Sequence, residues 1–477
     1  MPTAVVLGGG VSGLAAAYYL HRLSTKFSKI ILLEHQTRLG GWLHTTRYPD
    51  GAKFEHGPRS FRPAGHSGIN TIDLVEELGL SDQVLAMPMS HPTTKFRYIY
   101  VSGRCHALPS GLGGVLRTLS PFSKPWVFSL ASEPFRARSS EEDESVDSFI
   151  RRRLGPEIAE YAIDPMCRGI YAGNSRELSV RSCFPPLYKC ESEDGSIVRG
   201  MLWPSKGRQR PERRSKLSKR ARDERWAAWS LRDGTSQLTD TLVTQLSEDP
   251  RVEVRVGSPC EAVTPTDGKL QVVTQGETIQ ADHVFSSLYA AALSSLLPDQ
   301  LVELKAFLSS IPAVTVAVVN LEYSGHVLPA QGFGHLLPSS EDGKMLGVVY
   351  DSCAFPEHDR QDKPSTRLTV MMGGAWIREL VSEVGSDLNE NALTSLAVKG
   401  VQDQLGIVDS PSRSITKVQR NCIPQYLVGH WQKLAGIHSL TEKTNLPLSY
   451  IGSSYQGASV NDCIYNAKLE VERVLSS

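Results

Sequence analysis

The stretch that most constrains this chain is Ala4–Gly13, AVVLGGGVSG, where an apolar run breaks on a glycine turn and restarts as a helix. Ala4–Leu7 reads as a strand, Ser12–Leu23 as a helix and Lys29–Leu33 as a second strand, which together make a βαβ unit. Gly8, Gly10 and Gly13 occupy the G-x-G-x-x-G positions. The first permits a tight turn, the second lets backbone approach a pyrophosphate, and the third allows the helix to pack closely on the strand. Gly9, Val11 and Ser12 complete the turn, and the helix N-terminus offers free N–H groups and a partial positive charge to phosphate. Glu34 ends the second strand, 21 residues after Gly13, where a carboxylate can accept hydrogen bonds from ribose hydroxyls. This arrangement points to a dinucleotide without separating NAD from FAD.

Elsewhere helical and strand patterns alternate. Thr71 reads as the cap of a helix that carries Ile72, Val75 and Leu78 and stops at Gly79. Helices are expected over Ser145–Leu154 and, after Gly155-Pro156, over Glu157–Ile163. Val252–His283 reads as short strands with turns at Asp267-Gly268 and Gln275-Gly276. Residues 311–376 alternate as strands. The chain then returns to a strand (Leu448–Ile451), a glycine-containing turn (Gly452–Gly457) and a helix (Asn461–Val474). The order implies an α/β fold. A Rossmann-like nucleotide-binding domain (1–88, 232–300 and 420–477) would carry an inserted β-rich domain (89–100 and 301–419) and an inserted helical domain (101–231).

Lys plus Arg and Asp plus Glu both number 51, so whole-chain charge selects no partner. Nothing else supports a nucleic-acid role. Eight cysteines stand singly, with no C-x-x-C and no H-E-x-x-H, so no metal is expected and the thiols should be reduced. The longest strand-like apolar run, Ile311–Leu321, is far below the ~20 residues needed to span a bilayer. The first strand begins so near Met1 that no cleavable leader is expected. Lys206–Arg225 carries ten Lys/Arg against three Asp/Glu. A mobile loop is expected there, with contact to anionic lipid as the alternative.

Beyond Glu34 the pattern continues with Arg38-Leu39-Gly40-Gly41 and Gly51-x-x-x-Glu55-x-Gly57. This order resembles the extended fingerprint of the FAD family that contains amine oxidases, carotenoid desaturases and protoporphyrinogen oxidases. The likeness narrows to the protoporphyrinogen oxidases on RGIYAGNS (Arg168–Ser175), GFGHL (Gly332–Leu336), HGPRSFRPAG, NCIPQYLVGHWQKL and GSSYQGASVNDCI. It runs along almost the whole chain and is weakest over Lys189–Glu224. The resemblance implies a Rossmann-like FAD-binding domain, a β-rich substrate domain and a membrane-facing helical domain. Non-covalent FAD would lie on the glycine turn with Glu34 and His35, and beside Arg38, Gly40, Gly41 and Trp42. Gly57, Pro58, Arg59 and Ser60 would run along the flavin, and Gly457, Ala458 and Ser459 would meet its ring system. Cys260, through its main chain, and Trp431 would also touch the cofactor.

The implied substrate is protoporphyrinogen IX, an apolar macrocycle with two propionates on one edge. Arg97 matches the position that pairs with a propionate, a charge-assisted contact. Phe333 and Leu336 match the apolar walls, Met371 a further lining residue, and Gly169 a backbone position close to the ring. The implied reaction is six-electron oxidation to protoporphyrin IX, with dioxygen as acceptor and hydrogen peroxide as product. The flavin carries the redox step, and no acid–base residue is assigned.

The resemblance further implies a homodimer placed peripherally on the intermembrane-space side of the mitochondrial inner membrane. Leu112, Leu116, Phe122, Trp126, Phe128, Leu130 and Phe135 could supply a lipid-facing surface, or ordinary helix packing. Two other readings share the fold. One is an amine oxidase, whose facing aromatic pair before the flavin is not located here. The other is a non-enzymatic binder like the Rab GDP-dissociation inhibitors, against which the intact Glu34, Arg38–Gly41 and Gly51–Gly57 series argues.

Overall fold

The computed structural model describes residues 2–205, 212–341 and 343–476. Five parallel strands form one sheet in the order Leu448–Tyr450, His283–Ser286, Thr3–Leu7, Lys29–Leu33 and Val252–Arg255. Strand alternation divides their side chains. Ala4, Val6, Ile30 and Leu32 pack beneath the helices Val11–Leu23 and Val460–Ser476. Val5, Leu7, Ile31 and Leu33 pack against an antiparallel meander, Cys260–Thr266, Lys269–Thr274 and Glu277–Ala281. Burial on both faces is why these strands are continuously apolar rather than alternating. The meander turns fall where the sequence predicts them. Asp267, Gly268, Gln275 and Gly276 all have positive φ, as two-residue hairpin turns require.

A second sheet has seven strands, in the order Arg413–Pro424, Ala313–Ser324, Ser365–Gly373, Met345–Val349, Gly334–Leu336, Tyr98–Val101 and Arg104–Ala107. Ala317, Val319, Val348, Val370 and Met372 turn one face onto the helices Ile377–Val384 and Glu390–Leu405. Val316, Val318, Leu346 and Met371 turn the other towards Ala172, which ends the helix Asp164–Tyr171.

The helical region is built around Phe122, Phe149, Ile150, Cys167, Leu178 and Val180. Phe122 therefore belongs to a core and not to an apolar surface. Ser145 caps Val146–Arg153 by accepting from Ser148 N–H at 3.1 Å. The next helix runs beyond the expected stop at Ile163. A π-turn over Ala159–Ile163 hands the chain to Asp164–Tyr171, with Pro165 in a first turn that does not need its N–H.

Two expectations are corrected. The second helix of the nucleotide unit spans Gly65–Glu77, so Thr71 lies inside it and does not cap it. Its buried hydroxyl donates to Ser67 O at 3.1 Å, the back-bond a threonine makes within a helix. In the basic run, 206–211 lie outside the described residues, but Lys216–Asp223 is helix and not loop. Leu217 and Ala221 are buried, and the Ser215 hydroxyl and Leu217 N–H donate to Asp73 and Glu76 of the Gly65–Glu77 helix. The pattern is amphipathic, and its apolar face found a partner.

The helical region also encloses an ion pair. The Arg153 guanidinium, fully buried, donates to Glu133, which in turn accepts from the Ser196 hydroxyl and the Ile197 and Val198 N–H groups. Glu133→Ala leaves the buried Arg153 with only the more distant Glu191 carboxylate, at 3.3 Å, and backbone carbonyls. It should cost about 3–5 kcal/mol in a denaturant titration, and replacing both partners by apolar residues should recover much of that loss.

Candidate functional site

The glycine turn is held by its neighbours. Gly8 N–H donates to Leu33 O at 2.8 Å, while the Ser287 hydroxyl reaches Leu7 O and Gly8 O at 2.8 and 3.0 Å. Gly9 N–H donates to Glu34 Oε2 at 2.6 Å and Gln36 N–H to Oε1 at 2.7 Å, so the carboxylate lies beside the turn. Gly40 N–H donates to Gly9 O at 2.8 Å, and Gly10 and Gly40 pair as a β-bridge. Arg38 closes this second turn by donating to Leu39 O at 2.8 Å and Gly41 O at 2.6 Å. Burial pulls its guanidinium below the ordinary value, against the raising field of Glu34.

What a side chain would strike separates the glycines. A Cβ on Gly13 would meet Gly8 O at 1.9 Å, one on Gly9 the Leu39 Cδ2 at 2.4 Å, and one on Gly57 the Trp42 O at 2.3 Å. Gly13 and Gly57 are required by the protein's own packing, since backbone stands in the way, whereas at Gly9 the obstacle is the end of the Leu39 side chain. Gly10 has no such obstacle. Its φ of −73° suits any residue, and the nearest atom to a Cβ there is Gly41 Cα at 3.8 Å. A glycine needed for neither conformation nor packing borders space meant for something other than the chain, as close approach of a pyrophosphate requires. The glycine turn, the Glu34 carboxylate and the helix N-terminus fit an adenine dinucleotide.

The C-terminal turn comes to the same place. Gly452, at φ +99°, packs against Ser12, whose hydroxyl also contacts the buried Cys463 thiol, pushed up to about 11 by burial. Ser459 caps Val460–Ser476 by accepting from Asp462 N–H at 3.2 Å. Asn461 Nδ2 donates to Arg62 O at 2.9 Å, tying the segment that carries Gly57, Pro58, Arg59 and Ser60 to Gly457, Ala458 and Ser459. Beneath that segment Glu55 is buried, accepting from Thr235 N–H at 2.7 Å, the Thr235 hydroxyl at 2.8 Å and the Thr45 hydroxyl at 2.9 Å. Burial raises its carboxyl, and it acts as a clamp. His35 and Trp42 are exposed at the rim. Cys260 is near Glu34 through Ser258, whose N–H donates to Glu34 O at 2.8 Å. Trp431 is held by Arg181, whose guanidinium lies 3.7 Å over its ring.

The residues expected to face the substrate lie on one side of the second sheet and its approach. Gly169 lies under Leu336, where a Cβ would come within 2.9 Å of Leu336 Cδ2. Leu336 pairs with Ile99, and Phe333 N–H donates to Phe96 O at 3.3 Å, next to Arg97. Met371 lies further across the same face, with Leu346, Val316 and Val318.

That face also carries a polar chain the sequence did not reveal. Asn320 and Thr369 are paired across strands, two residues on from Val318 and Met371. The Thr369 hydroxyl lies 2.6 Å from Asp351 Oδ2 and 2.8 Å from the Asn320 amide, whose other end is 3.3 Å from His56 Nδ1. The Thr46 hydroxyl is 2.7 Å from His56 Nε2, and Arg59 donates to Asp351 at 2.6 Å. A hydroxyl has one hydrogen, so if it donates to the carboxylate it must accept from Asn320, whose amide oxygen then faces His56. His56, its conjugate acid lowered to about 3 chiefly by burial, stays neutral. The one sequence signal was Asn320, a polar break in an apolar strand.

Comparison with known proteins agrees with this geometry. A family model described as flavin containing amine oxidoreductase matches residues 11–475. The protoporphyrinogen oxidase of Homo sapiens is 46% identical over 476 residues, covering 100% of this chain and 98% of the human one. That of Schizosaccharomyces pombe is 32% identical over 499 residues, covering 99% and 98%. A solved structure from Exiguobacterium sp. 255-15 shares the fold, with a TM-score of 0.80 at 24% identity over 100% of this chain and 99% of that one.

The two kinds of glycine should separate experimentally. Gly10→Val should keep a thermal midpoint near wild type while flavin content, read from visible absorbance, falls by about tenfold or more. Gly13→Ala should lower the midpoint itself, because the clash is with backbone.

Proposed function

The chain belongs to the flavin-containing amine oxidoreductase family, and from that membership we infer that it is an FAD-dependent oxidoreductase that converts protoporphyrinogen to protoporphyrin. The single observation that carries this reading is the meeting of Gly8–Gly13, Glu34 and Gly40–Gly41, with the Gly57–Ser60 segment tied at one end to Asn461 and at the other, through His56, to Asn320 on the sheet face that bears Met371. Bound there, FAD supplies the two-electron acceptor, and three rounds account for the six electrons lost by the macrocycle. The protein's part is position and exclusion of water. The glycine turn and Glu34 would hold the adenosine diphosphate end, and the Gly57–Ser60 backbone, with Arg59 fixed by Asp351, would border the ring system. Phe333, Leu336 and Met371 give the macrocycle an apolar wall, and Arg97 holds a propionate at the edge.

Dioxygen as the final acceptor, with hydrogen peroxide released, belongs to the same proposal, as does a homodimer. The division into a substrate domain (89–100 and 301–419) and a membrane-facing helical domain (101–231) belongs to the same proposal, with the second sheet reaching past those bounds to Ala107 and Pro424. No helix among the described residues is long and apolar enough to cross a bilayer. Peripheral contact, in keeping with the mitochondrial inner-membrane placement that the resemblance implies, is supported by exposed Leu112, Leu116, Phe128 and Phe135. Exposed Met201, Leu202 and Trp203 end a helix whose first turn is bonded to Glu133, two residues from Phe135. Exposed Arg117, Lys124 and Arg138 add positive charge to the region.

Anaerobic mixing with protoporphyrinogen IX should bleach the visible flavin band, and admitting air should restore it as porphyrin fluorescence grows. A bound flavin that stays oxidised would overturn the assignment. The Phe135→Glu/Trp203→Glu variant should lose co-sedimentation with anionic vesicles, and equal binding with wild type would remove this surface from the membrane reading.

A further inference from the structure

We propose that Gly347 is a specificity-determining residue: with Gly169 it forms a two-glycine notch that holds the Leu336 side chain back and so sets the width of the space left for the macrocycle. The proposal rests on the function given above and adds to it the element that shapes its apolar wall.

Gly347 lies inside the second sheet, between the two strands that carry wall residues. It pairs with Leu336 on one side and with Met371 on the other, and residues paired across strands share a face. The strand Met345–Val349 shifts register between Met345 and Gly347, so Leu346 and Gly347 together oppose Met371. Such a bulge re-aims a side chain. Here Met345 and Val348 stay in the core on the far face, while Leu346 turns towards Met371 and Ala172. Glycine in a strand interior costs backbone entropy and packs nothing, so it marks a close approach. Neither Gly347 nor Gly169 has the positive φ that favours glycine, which leaves space as the reason.

That space is filled by one side chain. A Cβ on Gly347 would come within 2.7 Å of Leu336 Cδ2 and 2.6 Å of His335 O. A Cβ on Gly169, in the helix Asp164–Tyr171, would come within 2.9 Å of the same Cδ2 and 3.0 Å of Leu336 Cδ1. The end of Leu336 is therefore pressed between sheet and helix, and it fits only because neither flank carries a methyl group. Its remaining side is open. Leu336 and Gly169 are half-buried, and Met371 is the one residue of the strand Ser365–Gly373 that is not buried. Val316, Val318 and Leu346 on the same face are buried. A methyl group on either glycine would drive the Leu336 isobutyl group towards its open side and narrow the slot. A hydrophobic site reads one such carbon as roughly tenfold or more in binding. Ring shape then matters: the bridging carbons of a porphyrinogen are tetrahedral and pucker the macrocycle, whereas the porphyrin product is planar and thinner. The notch admits the thicker ring.

The test uses the FAD-loaded enzyme, with protoporphyrinogen IX as substrate and fluorescence titration of protoporphyrin IX as a binding readout independent of turnover. Gly169→Ala is the cleaner variant, because only the flexible end of a side chain stands in its way, whereas Gly347→Ala also meets the His335 backbone. Gly169→Ala should keep flavin content and thermal midpoint near wild type. It should raise KM for the porphyrinogen by about tenfold and the Kd of the planar porphyrin by less. Gly347→Ala should show the same split together with a lower thermal midpoint. In a Leu336→Ala background, which removes the displaced atoms, neither glycine substitution should change KM much further, although Gly347→Ala should still lower the midpoint. Unchanged KM in Gly169→Ala, equal losses for the puckered and planar rings, or full losses that persist without Leu336 would overturn the notch. A wild-type flavin left oxidised by porphyrinogen would instead overturn the function beneath it.

Discussion

The architecture depends on a small set of backbone hydrogen bonds around Gly8–Gly13. Leu33 O, Ser287 Oγ, Glu34 and Gly40 N–H all close on this one turn, and they come from three separate stretches of the chain. Remove them and the helix Val11–Leu23 would still form, but nothing would align its N-terminus with the second glycine pair. Helix N-termini bind anions only when the free N–H groups point into a shaped space. Here that shape is made by Gly10 and Gly41 backbone.

Around that turn, buried polar groups do what apolar packing cannot, because hydrogen bonds have direction. Glu55 holds Thr45 and Thr235 beneath the Gly57–Ser60 segment, and Thr235 Oγ1 lies 3.0 Å from Pro58 O. The His56–Asn320–Thr369–Asp351–Arg59 chain ties the same segment to the second sheet. Each member is costly to bury without a partner, so the set holds the two sheets in one relative position. Burial keeps His56 neutral, which lets it serve in that chain without adding a charge beside Arg59.

The second sheet uses its two faces differently. One is closed by helices and packs as an ordinary core. The other, bearing Leu336, Leu346 and Met371, meets Gly169 and Ala172 of the helical region, where small residues let sheet and helix approach closely. Arg97 stands at the margin of this face and Phe333 beside it.

Local signals were legible where they were self-contained. The strand Lys29–Leu33, the hairpin turns at Asp267-Gly268 and Gln275-Gly276, and the glycine turn followed from period, composition and spacing, because neighbours in sequence supply the physics. Thr71 misled for the opposite reason: a threonine bonds back to its own helix as readily as it caps one, and only packing distinguishes the two. The helix at Lys216–Asp223 was hidden by charge, since its two buried apolar residues mean little until the Gly65–Glu77 helix stands opposite them. By itself, then, the sequence determined that a dinucleotide-binding βαβ unit would form and which glycines would line it. The tertiary structure alone decided that a side chain at Gly10 would meet no chain atom nearer than 3.8 Å while Gly13 is pressed by backbone, and that His56 reaches Arg59 through two strands of another sheet. Those facts depend on the directions of groups far apart in the chain, and no local pattern encodes direction.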